Sequence, residues 1–255
     1  MQVIRSFFIA VALYSRLPAP HFAWREEDMR YTFCFLPWIG AVIGGGVSLW
    51  AYLCDVFRIG VLCRAAVGAA IPLLITGGFH ADGFMDTMDA IHSYRPRERR
   101  LEILRDSHIG AFAVIMLAVY GLLYVGAFSE IREGAALRVV CGGFFLSRCL
   151  CGISALSFPL ARKEGTLALF ADSAQKKAVK GALYLQGAAC IALMLYWSLP
   201  AGAAATLAAF AAFGYYFDCS RKAFGGVTGD TSGYFILLCE GGIVVAVAVA
   251  EVLFL

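Results

Sequence analysis

The sequence has little charge: 15% of its 255 residues are Asp, Glu, Lys or Arg, against about 25% in an average soluble domain. Instead, 61% of the residues are hydrophobic, and the mean hydropathy is +0.76. A soluble domain does not need that much apolar surface, because its exterior must stay hydrated. The shortage of charge therefore excludes an ordinary soluble enzyme, a disordered protein and a nucleic-acid-binding module, and we expect no nucleic-acid partner.

Paired cysteines are missing as well. None of the nine cysteines belongs to a Cys-X-X-Cys pair, so neither a zinc site nor a thioredoxin-like redox pair is indicated. Most of them lie in apolar stretches, where free cysteine behaves as a small hydrophobic residue. A cleavable signal is not expected either, because the apolar run 7–13 lies between Arg5 and Arg16 with no small-residue cleavage site after it.

The sequence does contain apolar segments long enough to cross a bilayer. A membrane helix needs about 20 mainly apolar residues, and seven segments qualify: 33–53, 61–79, 110–128, 139–158, 179–199, 202–218 and 234–255. The run 3–13 is too short to span and is expected to form a short N-terminal interfacial helix, with an eighth span as the alternative. We find no internal repeat and no low-complexity linker. The sequence therefore predicts an all-α, polytopic membrane bundle, with residues 1–255 as a single domain.

The basic residues are distributed unevenly between the loops, which indicates the orientation of the bundle. Four loops fall on one side of the predicted membrane: 13–32, 80–109, 159–178 and 219–233. These loops and the adjoining helix ends contain fifteen of the 21 Lys and Arg residues, whereas the opposite side contains Arg58, Arg64, Arg132 and Arg138. By the positive-inside rule the basic side is cytoplasmic. We therefore predict a multi-pass protein of a cytoplasmic (inner) membrane, with the loops that carry the unusual polar residues on the cytoplasmic face.

Three aspartates follow the second predicted span at a regular spacing. Asp82, Asp86 and Asp89 are four and three residues apart, which places them on one face of a helix. Carboxylates arranged in this way repel one another, and a divalent cation removes that cost; oxygen ligands favour Mg²⁺, Mn²⁺ or Ca²⁺. The alternative is that these acids solvate a helix start, which explains the one-sided spacing less well. The neighbouring His80 is either a metal or phosphate contact or a structural histidine.

A cluster of arginines follows the acidic motif. Arginine binds phosphate through paired hydrogen bonds, so we predict that Arg99, Arg100 and Arg105 bind a phosphate-containing substrate. The alternative is that they keep the loop cytoplasmic and contact anionic lipid headgroups. Asp106, just before the next span, is a further candidate for the metal face. By contrast, Arg162-Lys163-Glu164-Gly165 is interpreted as an ordinary solvated turn.

Two further polar sites lie in or beside the later spans. Arg148 is inside a span, where a charge needs a partner or a water-filled cavity; it belongs either to the active site or to a structural ion pair. The segment 224–233 is rich in Gly, Thr and Asp. Such loops can present backbone N–H groups to phosphate and a carboxylate to a metal, which makes Gly226, Thr228 and Asp230 candidates. A capped helix-entry turn is the alternative.

These features together suit phosphoryl or nucleotidyl transfer. A metal polarises the bridging phosphate, arginines offset charge on the leaving group, and a carboxylate accepts the proton of an attacking hydroxyl. The residues alone therefore predict a membrane-embedded, metal-dependent transferase that acts on a diphosphate.

The chain resembles the cobalamin 5′-phosphate synthase family. The resembling segments run in family order over nearly the whole chain: Arg16-Leu17-Pro18-Ala19-Pro20, Thr76-Gly77-Gly78-Phe79-His80-Ala81-Asp82-Gly83, Asp86-Thr87, Asp89, Arg105-Asp106-Ser107, Ile109-Gly110, Ser147-Arg148, Glu164-Gly165 and Gly225-Gly226-Val227-Thr228-Gly229-Asp230. The resemblance implies that adenosylcobinamide phosphate is transferred from adenosylcobinamide-GDP to α-ribazole or α-ribazole 5′-phosphate. GMP would be released, the product would be adenosylcobalamin or its 5′-phosphate, and the metal would be Mg²⁺.

The resemblance also suggests roles for the candidate residues. Asp82, Asp86 and Asp89 would hold Mg²⁺ on the diphosphate. The catalytic carboxylates would be Asp82, Asp106 and Asp230, and either of the last two would accept the proton of the ribazole 3′-hydroxyl. Substrate binding would fall to His80, Arg99, Arg100, Arg105, His108, Arg148, Gly226 and Thr228. Membrane lipid and other late cobalamin-assembly enzymes are the further partners expected.

Two positions depart from the family pattern. The family's Gly after the third aspartate is Ala90 here, and its basic residue after Asp-Ser is His108. Neither change removes a candidate metal ligand, and His108 can still donate a hydrogen bond.

Two other functional classes compete with this interpretation. Phosphotransferases that use CDP-activated alcohols also carry spaced aspartates, but with Asp-Gly followed by Ala-Arg, which Asp82-Gly83-Phe84-Met85 lacks. A transporter would place carboxylates near the membrane midplane within inverted repeats. Here the sequence has no repeat, and the carboxylates cluster towards one face.

Overall fold

The computed structural model describes residues 2–131 and 134–254, and these residues are mainly helical. The helices, in chain order, are α1 Gln2–Tyr14, α2 Glu26–Met29, α3 Thr32–Phe57, α4 Val61–Thr76, α5 Phe79–His92, α6 Arg97–Ile103, α7 Ala111–Glu130, α8 Gly134–Ser157, α9 Thr166–Ser173, α10 Lys176–Trp197, α11 Leu199–Phe224 and α12 Gly229–Phe254. Within the described ranges no residue belongs to a strand, although an isolated β-bridge joins Leu160 to Val227. The predicted all-α class is confirmed.

Six of the described helices are long and apolar enough to cross a membrane: α3, α7, α8, α10, α11 and α12. They coincide with six of the seven predicted spans, so the polytopic bundle is confirmed, and α1 is the short apolar helix predicted at the N-terminus. Arg132, which entered the count of basic residues, and Leu255, the end of the last predicted span, lie outside the described residues.

The second predicted span, 61–79, differs from the expectation of a straight helix. It becomes α4, which ends at Thr76, and the chain then bends by 96° into α5. Gly77 and Gly78 have φ angles of +67° and +79°, a left-handed conformation that glycine adopts at no steric cost. The count is therefore six spans, or seven if the bent pair is included. We treat α4 as the membrane part of this pair and α5 as lying outside the membrane.

Helix α8 lies at the centre of the bundle and packs against α3, α10, α11 and α12. Its contact with α3 depends on glycine. A Cβ atom on Gly40 would lie 2.1 Å from the carbonyl oxygen of Phe144, and one on Gly44 would lie 2.9 Å from that of Cys141. Small residues of this kind let membrane helices approach closely. The nine cysteines are free, and most are buried or partly buried, as the sequence predicted.

A second close crossing joins the first turns of α5 and α12. A Cβ atom on Gly83 would lie 2.6 Å from the carbonyl oxygen of Asp230, and one on Gly233 would lie 2.9 Å from that of His80. The two helix starts are therefore in backbone contact, and Asp82 comes into the neighbourhood of Asp230.

Candidate active site

A cleft of about 270 Å³ opens where α5 and α12 begin, and the segment that follows α8 covers it from one side. Asp82, Glu164 and Asp230 contribute carboxylates to its wall, Arg162 contributes a guanidinium and Thr228 a hydroxyl. A pocket that combines several carboxylates with one arginine can bind a metal ion and a phosphate together.

The covering segment is held in place by the isolated β-bridge. The Val227 N–H donates to the Pro159 carbonyl at 2.8 Å, and the Ala161 N–H donates to the Val227 carbonyl at 3.0 Å. Gly226 is needed at this contact, because a Cβ atom there would lie 2.4 Å from the Pro159 oxygen. The bridge brings Arg162 to the Asp230 carboxylate, and the two charges interact.

The three aspartates of α5 occupy different environments. Asp82 is exposed in the cleft, whereas Asp86 and Asp89 are half-buried. Burial, followed by the charges of Asp82, Asp230 and Asp89, raises the pKa of Asp86 to about 7. The repulsion predicted from the four-and-three spacing is therefore present, and it also includes Asp230 from α12.

Asp89 has a structural task as well. Its carboxylate accepts hydrogen bonds from the backbone N–H groups of Gly110, at 2.5 Å, and Ala113, at 3.2 Å. These donors lie at the start of α7, where helical N–H groups lack partners within the helix. Asp89 therefore caps α7 from another helix, and its role as a metal ligand stays a prediction beside this observed one.

The arrangement fits a magnesium ion that shares its ligands with a substrate. Among the residues that the structure describes, no group of three or more His, Cys, Asp or Glu side chains is placed to hold a metal alone. Magnesium in proteins is commonly bound by one or two carboxylates, with water and substrate phosphate completing its shell. The crowded carboxylates of Asp82, Asp86 and Asp230 suit that kind of site.

The predicted phosphate-binding arginines do not act as one group. Arg99 forms an exposed ion pair with Glu102 on α6. Arg100 has a buried Nε atom without a hydrogen-bond partner in the described part of the chain. Arg105 lies close enough to the cleft for its charge to act on Arg162. Burial is the main cause that lowers the pKa of Arg162, and the positive charge of Arg105 is the second.

Three arginines outside the predicted set lie at the cleft or its borders. Arg162, interpreted above as part of a solvated turn, lines the cleft and donates to the Leu101 carbonyl. The guanidinium of Arg97 lies over Gly225, and the side chain of Arg16 lies over Gly77. Arg16 belongs to the first family motif, so that resemblance was an available signal. Arg97 belongs to the arginine cluster that follows the acidic motif, so the sequence held a signal for it as well. For Arg162 the local sequence holds none, because its position depends on long-range contacts.

Asp106 and His108 lie on an exposed loop and are not part of the cleft wall. The His108 ring nitrogen Nδ1 is 2.6 Å from an Asp106 carboxylate oxygen, and the His108 backbone N–H donates to the same oxygen at 3.0 Å. These two hydrogen bonds lower the pKa of Asp106. Asp106, a predicted proton acceptor, is thus hydrogen-bonded to His108, a predicted substrate-binding residue.

His80 and Arg148 lie deeper, on the side of α5 that faces the bundle. Arg148 is only 1% exposed, pairs with Glu240 of α12 and donates to the Phe144 carbonyl at 2.8 Å. Both residues line a second pocket, of about 240 Å³, which α4, α7 and α12 also border. The structural ion pair, which was one of the two interpretations of Arg148, is observed.

The glycine-rich loop uses several of its N–H groups in hydrogen bonds to the rest of the protein. The Gly226 N–H donates to the Ser220 carbonyl at 3.2 Å, and the Thr228 N–H donates to the Thr231 hydroxyl at 2.8 Å. Those two donors are therefore not directed at a phosphate. What the loop offers the cleft is the Thr228 hydroxyl and the Asp230 carboxylate, 3.4 Å apart.

Comparison with known proteins places the chain among cobalamin enzymes. The family model described as cobalamin-5-phosphate synthase matches residues 6–249. A protein of Lachnoclostridium phytofermentans named adenosylcobinamide-GDP ribazoletransferase is 39% identical, over 98% of this chain and 96% of its own length. Relatives with the same name from Klebsiella pneumoniae (33% identical, 93% of this chain and 97% of theirs) and Desulfitobacterium hafniense (32%, 94% and 95%) also match. No solved structure matches. The chain belongs to the cobalamin-5-phosphate synthase family.

Proposed function

We propose that this protein is an adenosylcobinamide-GDP ribazoletransferase and that the cleft between α5 and α12 is its active site. The 3′-hydroxyl of α-ribazole, or of its 5′-phosphate, attacks the phosphorus that is linked to the corrinoid. A new phosphodiester forms, the anhydride bond to the GMP phosphate breaks, and GMP leaves. The hydroxyl proton passes to a carboxylate of the cleft.

The observation that carries this proposal is the convergence of Asp82, Asp230 and Arg162, from three separate parts of the chain, on one cleft. A transfer between a hydroxyl and a diphosphate needs a proton acceptor and a cation beside the leaving phosphate. The names of the relatives add the substrates, because they specify both the GDP-activated corrinoid and ribazole.

Each cleft residue has a role in this reaction. Asp230 accepts the hydroxyl proton, because it lines the cleft while Asp106 is exposed and engaged with His108. Arg162 stabilises negative charge on the departing GMP. Asp82 and Asp86 would hold Mg²⁺, which when bound supplies charge neutralisation on the diphosphate.

The proposed location is the bacterial cytoplasmic membrane, with the cleft on the cytoplasmic side. The six long apolar helices support a multi-pass protein. The loops beside the cleft carry most of the basic residues, which favours that side as cytoplasmic. Membrane lipid around the bundle and other late cobalamin-assembly enzymes near the cleft are the partners proposed in addition to the substrates.

The direct test is reconstitution in nanodiscs with adenosylcobinamide-GDP, α-ribazole 5′-phosphate and Mg²⁺. We expect GMP and a corrinoid product in equal amounts. A folded sample that releases neither would contradict the proposed function.

The metal assignment has a separate test. Chelation with EDTA should abolish GMP release, and added Mg²⁺ should restore it. Asp82→Asn and Asp86→Asn should raise the Mg²⁺ concentration required for half-maximal rate. If both variants keep the wild-type rate and Mg²⁺ dependence, these aspartates do not hold the metal.

A further inference from the structure

A narrow side slot opens from the cleft towards the centre of the bundle. Phe79, Thr166, Leu167 and Gly229 line both the cleft and the slot, so the two spaces are adjacent. Beyond these shared residues the slot has mainly apolar walls: Leu13, Tyr14, Phe33, Leu36, Cys151 and Ile236. A flat apolar group attached to a substrate in the cleft would be shielded from water in such a slot.

One polar group in the slot has no partner in the protein. His80 is 4% exposed, and its buried Nδ1 atom makes no hydrogen bond. Ser232, the other polar side chain at this depth, is already bonded, because its hydroxyl donates to the Thr228 carbonyl at 2.8 Å. A buried polar atom left without a hydrogen bond is costly, so a ligand that pairs with His80 would recover that cost.

Phe79 forms the wall between the cleft and the slot. Its side chain is 46% exposed, and its ring packs edge-on against Tyr14 and His80 at centroid distances of 6.5 and 5.6 Å. The open volume of the slot is about 50 Å³, which is less than a bicyclic ring requires. Rotation of the exposed Phe79 side chain is the movement that would enlarge it.

We propose that this slot binds the heteroaromatic base of the acceptor nucleoside, with His80 as the residue that recognises it. The inference rests on the proposed function, in which the acceptor is α-ribazole. The base of α-ribazole, dimethylbenzimidazole, is flat and apolar apart from one free ring nitrogen. That nitrogen accepts a hydrogen bond from His80 Nδ1, and the rings lie between Phe79 and the apolar wall.

The guanine of the other substrate does not match the slot. Guanine carries an amino group, a carbonyl and a ring N–H, each of which needs a partner when buried. His80 provides one buried atom without a partner, and most of the remaining wall is apolar, with hydroxyls only on Tyr14, Thr166 and Ser232. The slot therefore favours the acceptor nucleoside over the GMP portion of the donor.

The experiment compares two acceptors that differ in one ring atom. The first is α-ribazole, and the second is the same riboside with its free ring nitrogen replaced by CH. For the wild-type protein in nanodiscs we expect kcat/KM to be about tenfold lower with the second acceptor, as the loss of one buried hydrogen bond implies. In His80→Ala the ratio of kcat/KM for α-ribazole to kcat/KM for the second acceptor should fall to about one. The KM for adenosylcobinamide-GDP should stay at the wild-type value.

A matched control is His92→Ala, which removes the other histidine of α5. His92 contacts the Met88 carbonyl and stacks on Phe112, away from the slot, so the wild-type preference between the acceptors should persist. Leu13→Trp, at a partly buried position that lines the slot but not the cleft, should raise the KM for α-ribazole alone. If His80→Ala does not fold, the proposal can still be tested with this tryptophan variant and with the preference of the wild-type protein between the two acceptors.

The outcomes separate the slot from the proposed function. The slot assignment would be overturned if the wild-type protein uses both acceptors with equal kcat/KM, or if its tenfold preference persists in His80→Ala. In either case GMP release would still support the transferase function. An equal rise in KM for both substrates in Leu13→Trp would also overturn the slot assignment. If a folded wild-type protein releases no GMP with α-ribazole or its 5′-phosphate, the proposed function itself fails.

Discussion

The three aspartates of α5 illustrate how one motif divides between chemistry and architecture. Asp82 is exposed in the cleft, Asp86 is crowded by like charges, and Asp89 accepts two N–H groups from the start of α7. Their shared helical face follows from spacing alone. Their different tasks follow from what packs against that face, which spacing does not reveal.

Removal of the Asp89 carboxylate should destabilise the fold more than removal of the Asp82 carboxylate. Asp89→Ala deprives α7 of its cap, and the loss of such a cap costs about 1 kcal/mol of unfolding free energy. Asp82→Ala changes an exposed side chain and should stay within about 0.5 kcal/mol of wild type. Thermal unfolding in nanodiscs measures both. Equal midpoints for the two variants would mean that the cap contributes nothing.

Arg162 should matter for catalysis although its sequence context looks ordinary. Arg162→Gln removes the guanidinium of the cleft, and a charged hydrogen bond of about 1.5–3 kcal/mol corresponds to a loss of roughly 10- to 100-fold in kcat/KM. Lys163→Gln is the matched control, because Lys163 is exposed and does not line the cleft. Steady-state GMP release measures the two variants, and similar rates for both would remove Arg162 from the mechanism.

At the scale of helices, hydropathy predicted seven spans, and six of them are single long helices because each is a continuous apolar segment of sufficient length. Hydropathy did not reveal the bend at Gly77 and Gly78, because glycine does not interrupt an apolar average, even where its positive φ angle lets the chain change direction. The acidic motif was found by its spacing. Arg162 was missed because its position depends on the pairing of Leu160 with Val227, two segments far apart in the sequence.

The crossing of α5 and α12 should not tolerate a side chain at Gly83. A Cβ atom there would lie 2.6 Å from the Asp230 carbonyl oxygen, and overpacking of this kind costs about 1–3 kcal/mol. Gly83→Ala should therefore lower both thermal stability and the rate of GMP release. Gly242→Ala is the control, because no atom lies within 4 Å of its added Cβ; it should be neutral or stabilising by up to about 1 kcal/mol. Equal behaviour of the two variants would argue against close packing at the crossing.

At the scale of the whole molecule, the few charged residues form two groups, one around the cleft and one buried within the bundle. The cleft and its borders hold several aspartates and arginines, whereas the interior ion pair of Arg148 with Glu240 joins α8 to α12. The pair lies on the opposite side of α5 from the aspartates. It therefore belongs to the scaffold that carries the site.

This assignment of the ion pair makes a testable distinction. Glu240→Leu leaves Arg148 buried without its partner, which should cost about 3–5 kcal/mol of stability. The double variant Arg148→Met/Glu240→Leu should regain most of that loss, because an apolar pair can replace a buried ion pair. Thermal unfolding checks the recovery. A double variant that is stable but inactive would show that Arg148 also serves the reaction directly.

The bridge between Leu160 and Val227 has a mechanical consequence. Its two backbone hydrogen bonds tie the segment with Arg162 to the loop with Thr228 and Asp230, so these parts of the cleft wall move as one rigid piece. The cleft therefore cannot widen by separation of these two segments while both bonds last. Room for the corrinoid of the proposed substrate must therefore come from the remaining wall of the cleft, where the Phe79 side chain is 46% exposed.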